Sequence, residues 1–111
     1  MVETSSLVLL DINNPNFLTS LFALEKNDKI QLLKQFEKIS KLTWAEVQRD
    51  AGLKWEKIHP VPLSLRRHLT DDPHRALYSI RLTQAKRAVV LREGDFMRFL
   101  ALPKDHDSTY T

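Results

Sequence analysis

Apolar residues recur at helical spacing through the first half of the chain. Asn14 followed by Pro15 predicts a helix start, because proline at the first helical position needs no N–H partner. The apolar stripe of this helix is Phe17, Leu18, Leu21, Phe22 and Leu24. A second helix, with Asp28 as its predicted cap, carries the stripe Ile30, Leu32, Leu33, Phe36 and Ile39. We expect these two helices to be joined by a turn at Asn27 and Asp28 and to form a helical hairpin.

Shorter elements are predicted on either side of this hairpin. Before it, the segment SSLVLLD has the character of a short buried strand. After it, Thr43 and Glu46 have the spacing of a capping box, which predicts a third helix that ends before Gly52.

The second half of the chain changes to the alternation of strands. LKWEKIH alternates weakly, and ALYSIRL, RAVVLRE and FMRFLAL predict three strands joined by TQAK and by a tight turn at Gly94. In the first of the three, Tyr78 and Ile80 point one way and Arg81 points the other. We therefore expect one sheet face to pack on the helices and the opposite face to expose arginines.

This order of elements predicts the α+β class. We expect a single domain over residues 1–111, in which an N-terminal strand and a helical hairpin pack on a C-terminal antiparallel sheet of three to four strands.

The composition of the chain indicates its cellular location and the kind of partner that it binds. The chain has no cysteine, and its longest apolar run near the N-terminus is LVLL, so we expect a soluble, cytoplasmic protein without a membrane partner. Residues 1–51 carry six basic and seven acidic side chains, whereas residues 52–111 carry eleven and seven. The basic half favours a polyanionic partner, although a solvated surface of mixed charge explains the composition as well.

Several kinds of chemistry are missing from the sequence. The four histidines are scattered without metal-site spacing, two glycines cannot form a phosphate loop, and no serine lies in a nucleophile elbow. We therefore expect neither a metal nor a small-molecule cofactor. The remaining Arg, Lys, His, Glu and Tyr suit RNA cleavage, which needs a base for the 2′-hydroxyl, cations for the phosphate and an acid for the leaving oxygen.

The C-terminal third of the chain resembles the RelE/ParE toxin superfamily, especially its RelE, YoeB and HigB type. The stretch that carries the resemblance is LYSIRLTQAKRAVVLREGDFMRFLALPKDHDSTY. Its matching residues are Tyr78, Ile80, Arg81, Arg87, Val89, Asp95, His106 and Tyr110.

The resemblance implies the toxin of a type II toxin–antitoxin system, a metal-independent endoribonuclease (mRNA interferase) that cleaves mRNA at the ribosome and is neutralised by a cognate antitoxin. By position, Arg81 and Arg87 would bind the scissile phosphate, His106 would be the general acid or base, and Tyr110 would stack on a base or orient the phosphate. Glu56 matches the carboxylate base of the YoeB type.

Basic side chains outside this core of the resemblance are candidates for RNA binding. Lys54 and Lys57 match the basic contacts of the RelE type. Arg66, Arg67 and Arg75 belong to a Pro-, Arg- and His-rich loop that is either solvated or in contact with phosphates.

Two alternatives keep the fold and change the function. One is a ParE-like inhibitor of DNA gyrase without nuclease activity, and the other is a non-toxic RNA-binding domain.

The chain also departs from the family pattern in its long proline-rich link before the sheet, its third helix and its four-residue TQAK linker.

Overall fold

In the part of the chain that the structure describes, the fold is a mixed five-stranded sheet with three helices. A computed structural model of the chain describes residues 6–61, 63, 65 and 76–103. In chain order the elements are β1 (Leu9–Asp11), α1 (Pro15–Phe22), α2 (Lys26–Ser40), α3 (Trp44–Arg49), β2 (Glu56–Lys57), β3 (Leu77–Arg81), β4 (Arg87–Glu93) and β5 (Phe96–Ala101). The predicted α+β class is confirmed.

The strand order of the sheet is β1-β5-β4-β3-β2. Strands β2 to β5 pair antiparallel with their neighbours, and β1 pairs in parallel with β5. The sheet is therefore mixed and has five strands, instead of the antiparallel sheet of three to four strands that we expected. The difference arises because β1 hydrogen-bonds to the edge of the meander as a fifth strand, a long-range pairing that no local pattern encodes.

The helix ends follow the local sequence with one exception. The Asn14 side chain accepts hydrogen bonds from the N–H groups of Asn16 and Phe17, and Thr43 and Glu46 form the predicted capping box of α3. The second helix is confirmed, but its predicted start is wrong. It begins at Lys26, so Asn27 and Asp28, where we expected the turn and the cap, lie within its first turn. A carboxylate in the first turn stabilises the helix through the macrodipole.

The helix-facing side of the sheet forms the larger core. Its fully or nearly buried members include Val8, Phe17, Leu32, Phe36, Ile39, Trp44, Val47, Leu53, Ile80, Leu82, Ala88, Val90, Met97, Phe99 and Leu102. Phe17, Phe36 and Phe99 make mutual ring contacts with centroids 5.1 to 6.4 Å apart. The predicted orientation of Ile80 toward the helices is confirmed.

The opposite face of the sheet is partly covered, so our expectation of exposed arginines holds for only part of it. Arg98, which pairs with Leu91, is exposed on this face, whereas the rest of the face carries apolar side chains. Ile58, Leu65, Leu77, Val89, Leu91 and Leu100 form a second, smaller core there. Even Arg87, at the end of this face, is only 8% exposed. Ile58 and Leu65, from the chain after β2, cover this face. They keep the apolar side chains of β3, β4 and β5 on this face out of water.

Strand β1 is an edge strand and not the buried strand that we expected. Val8 is buried, but Leu7 and Leu9 are 54% and 47% exposed.

At the far end of the meander, Gly94 takes φ +63° in the turn between β4 and β5, which confirms the predicted hairpin. Within the described residues, no helix is long and apolar enough to span a membrane.

Asp50 links α3 to α2 and makes the stability of the fold depend on pH. Burial raises its pKa, but hydrogen bonds from Lys38 and from the backbone N–H groups of Leu53 and Gly52 outweigh burial, so the pKa lies below its ordinary value of 3.8. The Lys38 Nζ to Asp50 Oδ1 distance is 3.0 Å. A lowered folded-state pKa adds stability above the unfolded pKa, and this stability is lost as the pH falls through the folded value.

We expect Asp50→Asn to lower the free energy of unfolding at pH 7 by about 1 kcal/mol, because asparagine keeps an acceptor but loses the charge. The cost is modest because Lys38 is 40% exposed. Urea unfolding of both proteins should show the difference shrinking as the pH falls below 3.8. Glu37→Gln is the matched control, since the exposed Glu37–Lys41 pair should contribute little at any pH. A difference that persists undiminished in acid would contradict the charge-based account.

Candidate functional site

A cleft of about 300 Å³ lies where β3 ends and β4 begins. Its lining residues are Glu56, Lys57, His59, Arg81, Gln84, Ala85 and Arg87. Three cations, one carboxylate and one imidazole therefore share a single small opening, and the cations outnumber the carboxylate.

The register of the sheet explains why these side chains meet. Arg81 pairs directly with Arg87 across β3 and β4, and Glu56 pairs with Ser79 across β2 and β3. Residues that are directly opposite in an antiparallel pair lie on the same face, and so do residues two apart on one strand. The two arginines, Ser79 and Glu56 must therefore project from the face opposite to the helices.

The Arg87 guanidinium is bound on its inner side by protein groups. Its Nε and Nη2 donate to the Ser79 hydroxyl at 3.1 and 2.7 Å, and Nη2 also donates to the Lys54 carbonyl at 2.7 Å. The same Nη2 lies 3.2 Å from Glu56 Oε1. Arg87 thus joins β2, β3 and the turn before β2, and it holds one oxygen of the Glu56 carboxylate at the cleft.

Arg81 is placed by its backbone, while its side chain is partly exposed. Its N–H donates to the Leu53 carbonyl at 2.7 Å, and its carbonyl accepts from Gln35 Nε2 at 3.0 Å. The turn before β2 and helix α2 therefore hold both backbone groups at the end of β3, which fixes the point from which the guanidinium reaches into the cleft.

The loop between β3 and β4 forms one rim of the cleft. Thr83 Oγ1 accepts hydrogen bonds from the N–H groups of Ala85 and Lys86, at 3.3 and 3.0 Å. The Leu82 and Thr83 N–H groups both donate to the Lys86 carbonyl. These four bonds close the TQAK linker into a compact turn that presents Gln84 to the cleft.

Four of the predicted site residues come together at this cleft: Glu56, Lys57, Arg81 and Arg87. Lys54 contributes in a different way, because its carbonyl binds Arg87 while its side chain is exposed outside the cleft lining. The predicted residues Arg66, Arg67, Arg75, His106 and Tyr110 lie outside the described residues.

Three residues of the cleft were not predicted: His59, Gln84 and Ala85. His59 follows β2 by two residues, and its closeness in sequence to Glu56 was the only signal available. Gln84 is an ordinary loop residue by type, and only the folded turn places it beside Arg81.

The cleft can bind an anion and transfer a proton. Arg81 is the cation of this sheet face that can meet a phosphate, since Arg87 is largely occupied by Glu56, Ser79 and Lys54. Lys57 also lines the cleft, but it pairs with Tyr78 and therefore starts from the helix-facing side of β2, at the edge of the sheet. Glu56 is 59% exposed, so its carboxylate is accessible from solvent. Among the residues that the structure describes, no cluster of three His, Asp or Glu side chains could hold a metal ion.

Searches against protein-family models, curated proteins and solved structures find no match to this chain. Conclusions about its function therefore depend on the chemistry of the cleft.

The two tryptophans lie apart from the cleft and belong to the packing. Trp44 is buried and donates from Nε1 to the Asp95 carbonyl, while Trp55 stacks on Tyr78 with centroids 4.3 Å apart. Arg92 covers the Trp44 ring at 4.2 Å. The prediction that Trp44 and Trp55 are packing residues is confirmed.

Proposed function

We propose that this protein is a metal-independent endoribonuclease whose site is the cleft between β2, β3 and β4. The observation that carries the proposal is the meeting of a carboxylate, an imidazole and several cations at one opening, with Glu56 held by Arg87. RNA needs no metal for its own cleavage, because the adjacent 2′-hydroxyl is the nucleophile.

Glu56 is the proposed base. It accepts the proton of the 2′-hydroxyl as the 2′-oxygen bonds to phosphorus, and the bond from phosphorus to the 5′-oxygen breaks. Arg81 stabilises the additional negative charge on the phosphate oxygens, and Lys57 adds positive charge at the edge of the cleft. His59 in its protonated form donates a proton to the departing 5′-oxygen. The products are a 2′,3′-cyclic phosphate and a free 5′-hydroxyl.

The resemblance to RelE-type toxins extends this proposal. It makes mRNA at the ribosome the substrate, the cytoplasm the location, and an antitoxin the protein partner. The excess of positive charge at the cleft suits an antitoxin segment with acidic side chains. It also makes His106 the alternative to Glu56 or His59 as general base or acid. Tyr110 would stack on a base or orient the phosphate, and Arg66, Arg67 and Arg75 would contact the RNA.

Arg81→Ala tests the proposed site. We expect cleavage of single-stranded RNA, assayed with a chelator present, to fall about 10²-fold, because one preorganised donor to the phosphate is lost. Arg49→Ala, at the end of α3, makes the same change of charge away from the cleft and should leave the rate unchanged. Products must end in cyclic phosphate.

Other outcomes separate the alternatives. RNA that binds through Arg81 but is never cleaved, even on ribosomes, would indicate an RNA-binding domain without nuclease activity. Inhibition of DNA gyrase with intact RNA would indicate the ParE-like function.

A further inference from the structure

A second cleft adjoins the first on the other side of Arg81. Its volume is about 270 Å³, and it is lined by Gln31, Lys34, Gln35, Arg81, Leu82, Thr83 and Gln84. Arg81 and Gln84 line both clefts, so the two clefts are neighbours at the end of β3, and we call them together the groove. The groove runs from the sheet face opposite to the helices to the side of α2.

The chemistry of the second cleft differs from that of the first. The described residues that line it include no carboxylate and no histidine, so these side chains offer neither a base nor an acid for cleavage. It contains two cations, Lys34 and Arg81, and three side-chain amides, from Gln31, Gln35 and Gln84. An amide presents both donors and an acceptor, which is the pattern needed to bind the edge of an unpaired base.

The residues that α2 contributes to the second cleft lie side by side on the helix. Gln31, Lys34 and Gln35 are three and four residues apart on α2 and therefore share one face of the helix. Gln35 is fixed by its hydrogen bond to the Arg81 carbonyl at 3.0 Å, so the helix face is tied to the strand end that carries the shared arginine.

We infer that the second cleft binds the nucleotide next to the cleaved phosphodiester, with Lys34 on its phosphate and the amides on its base. This inference depends on the proposed function, because it makes the two clefts successive positions along one single strand of RNA. Arg81, between them, lies where the shared phosphate would pass. Three features of the second cleft suit a nucleotide: its positive charge, the lack of a carboxylate among its described lining residues, and its size. The volumes of both clefts lie near the low end of ligand-binding cavities, which measure roughly 300–1,000 Å³.

Lys34→Ala tests the second cleft directly. The probes are 2′-O-methyl oligoribonucleotides, which cannot be cleaved, in a dinucleotide and a hexanucleotide form. We expect the variant to bind the hexanucleotide about three- to tenfold more weakly, with the slope of log affinity against log salt reduced by about one, and the dinucleotide unchanged. Gln31→Ala should instead reduce the discrimination between oligonucleotides of different bases.

Lys29→Ala is the matched control. It removes the same charge from the same helix but lies about 140° around the axis from Lys34, at 3.6 residues per turn, and does not line the groove. If Lys34→Ala and Lys29→Ala bind the hexanucleotide equally, the second cleft is not a nucleotide site.

Lys57→Ala keeps the two proposals apart, because Lys57 lines only the first cleft. Weaker binding of both probes by Lys57→Ala, with no effect of Lys34→Ala, would overturn the second cleft alone. No effect of Lys57→Ala and Arg81→Ala on either probe would overturn the proposed function itself.

Discussion

Arg87→Ala should lower the free energy of unfolding by about 2–4 kcal/mol, because it removes a charged donor from the buried Ser79 hydroxyl and from the part-buried Lys54 carbonyl. The Ser79 hydroxyl, itself fully buried, and the Lys54 carbonyl both lose a charged donor. Lys54 also has a left-handed backbone with φ 49°, a conformation that costs free energy and that the bond to Arg87 helps to hold. Chemical denaturation at neutral pH measures the loss.

Arg98→Ala is the matched control for this prediction. Arg98 is another strand arginine with two carboxylate partners, Asp11 and Glu93, and those hydrogen bonds raise its pKa. Its side chain is 47% exposed, so water can replace its partners, and we expect a loss below about 1 kcal/mol. The loss in free energy of unfolding for Arg87→Lys should lie between those for Arg87→Ala and Arg98→Ala, since an ammonium keeps the charge without the planar fork of donors. Equal losses for Arg87→Ala and Arg98→Ala would contradict the buried role of Arg87.

The parts of the fold that short-range patterns encode could be predicted from the sequence. The capping box of Thr43 and Glu46, the turn at Gly94 and the alternation around Ile80 each involve neighbours within a few residues. The pairing of β1 with β5 joins distant parts of the chain, so it left no local pattern. The second core did leave one, because the unbroken apolar run from Ala88 to Leu91 is typical of a strand that is buried on both faces.

The site was predictable where register alone decides it. Arg81 and Arg87 lie at the two ends of a short connection, so the antiparallel pairing of their strands makes them direct partners. The burial of Arg87 could not be predicted, since an arginine is usually exposed unless it is paired, and its partners Ser79 and Glu56 come from two other strands. His59 and Gln84 lie in connections, where no periodicity indicates direction.

The exposed position of Glu56 next to a buried arginine is what makes it suitable as a base. One of its oxygens accepts from Arg87 Nη2 at 3.2 Å, which orients the carboxylate at the cleft. The side chain is nevertheless 59% exposed, so a substrate hydroxyl can approach it. Arg87 is thereby a positioning residue for the proposed base, and the prediction that Arg87 contacts the scissile phosphate stays a prediction.

Glu56→Gln should lower the rate of RNA cleavage by about 10²–10⁴-fold, the usual contribution of a general base. Glutamine keeps an oxygen that can accept from Arg87, so we expect the free energy of unfolding and the affinity for 2′-O-methyl RNA to change little. The combination of lost cleavage with retained binding and stability distinguishes a proton acceptor from a structural carboxylate. Single-turnover cleavage, denaturation and oligonucleotide binding measure the three quantities.

Glu93→Gln provides the control that makes the result of Glu56→Gln specific. Glu93 is also a strand carboxylate bonded to an arginine, Arg98, but it lies at the opposite end of β4 from Arg87 and outside the cleft. Its substitution changes the net charge by the same amount and should leave the cleavage rate unchanged. If both variants cleave at the wild-type rate while Arg81→Ala does not, the cleft binds the scissile RNA but Glu56 is not the base. The proton of the 2′-hydroxyl must then leave through another group, and His59, which also lines the cleft, is a candidate.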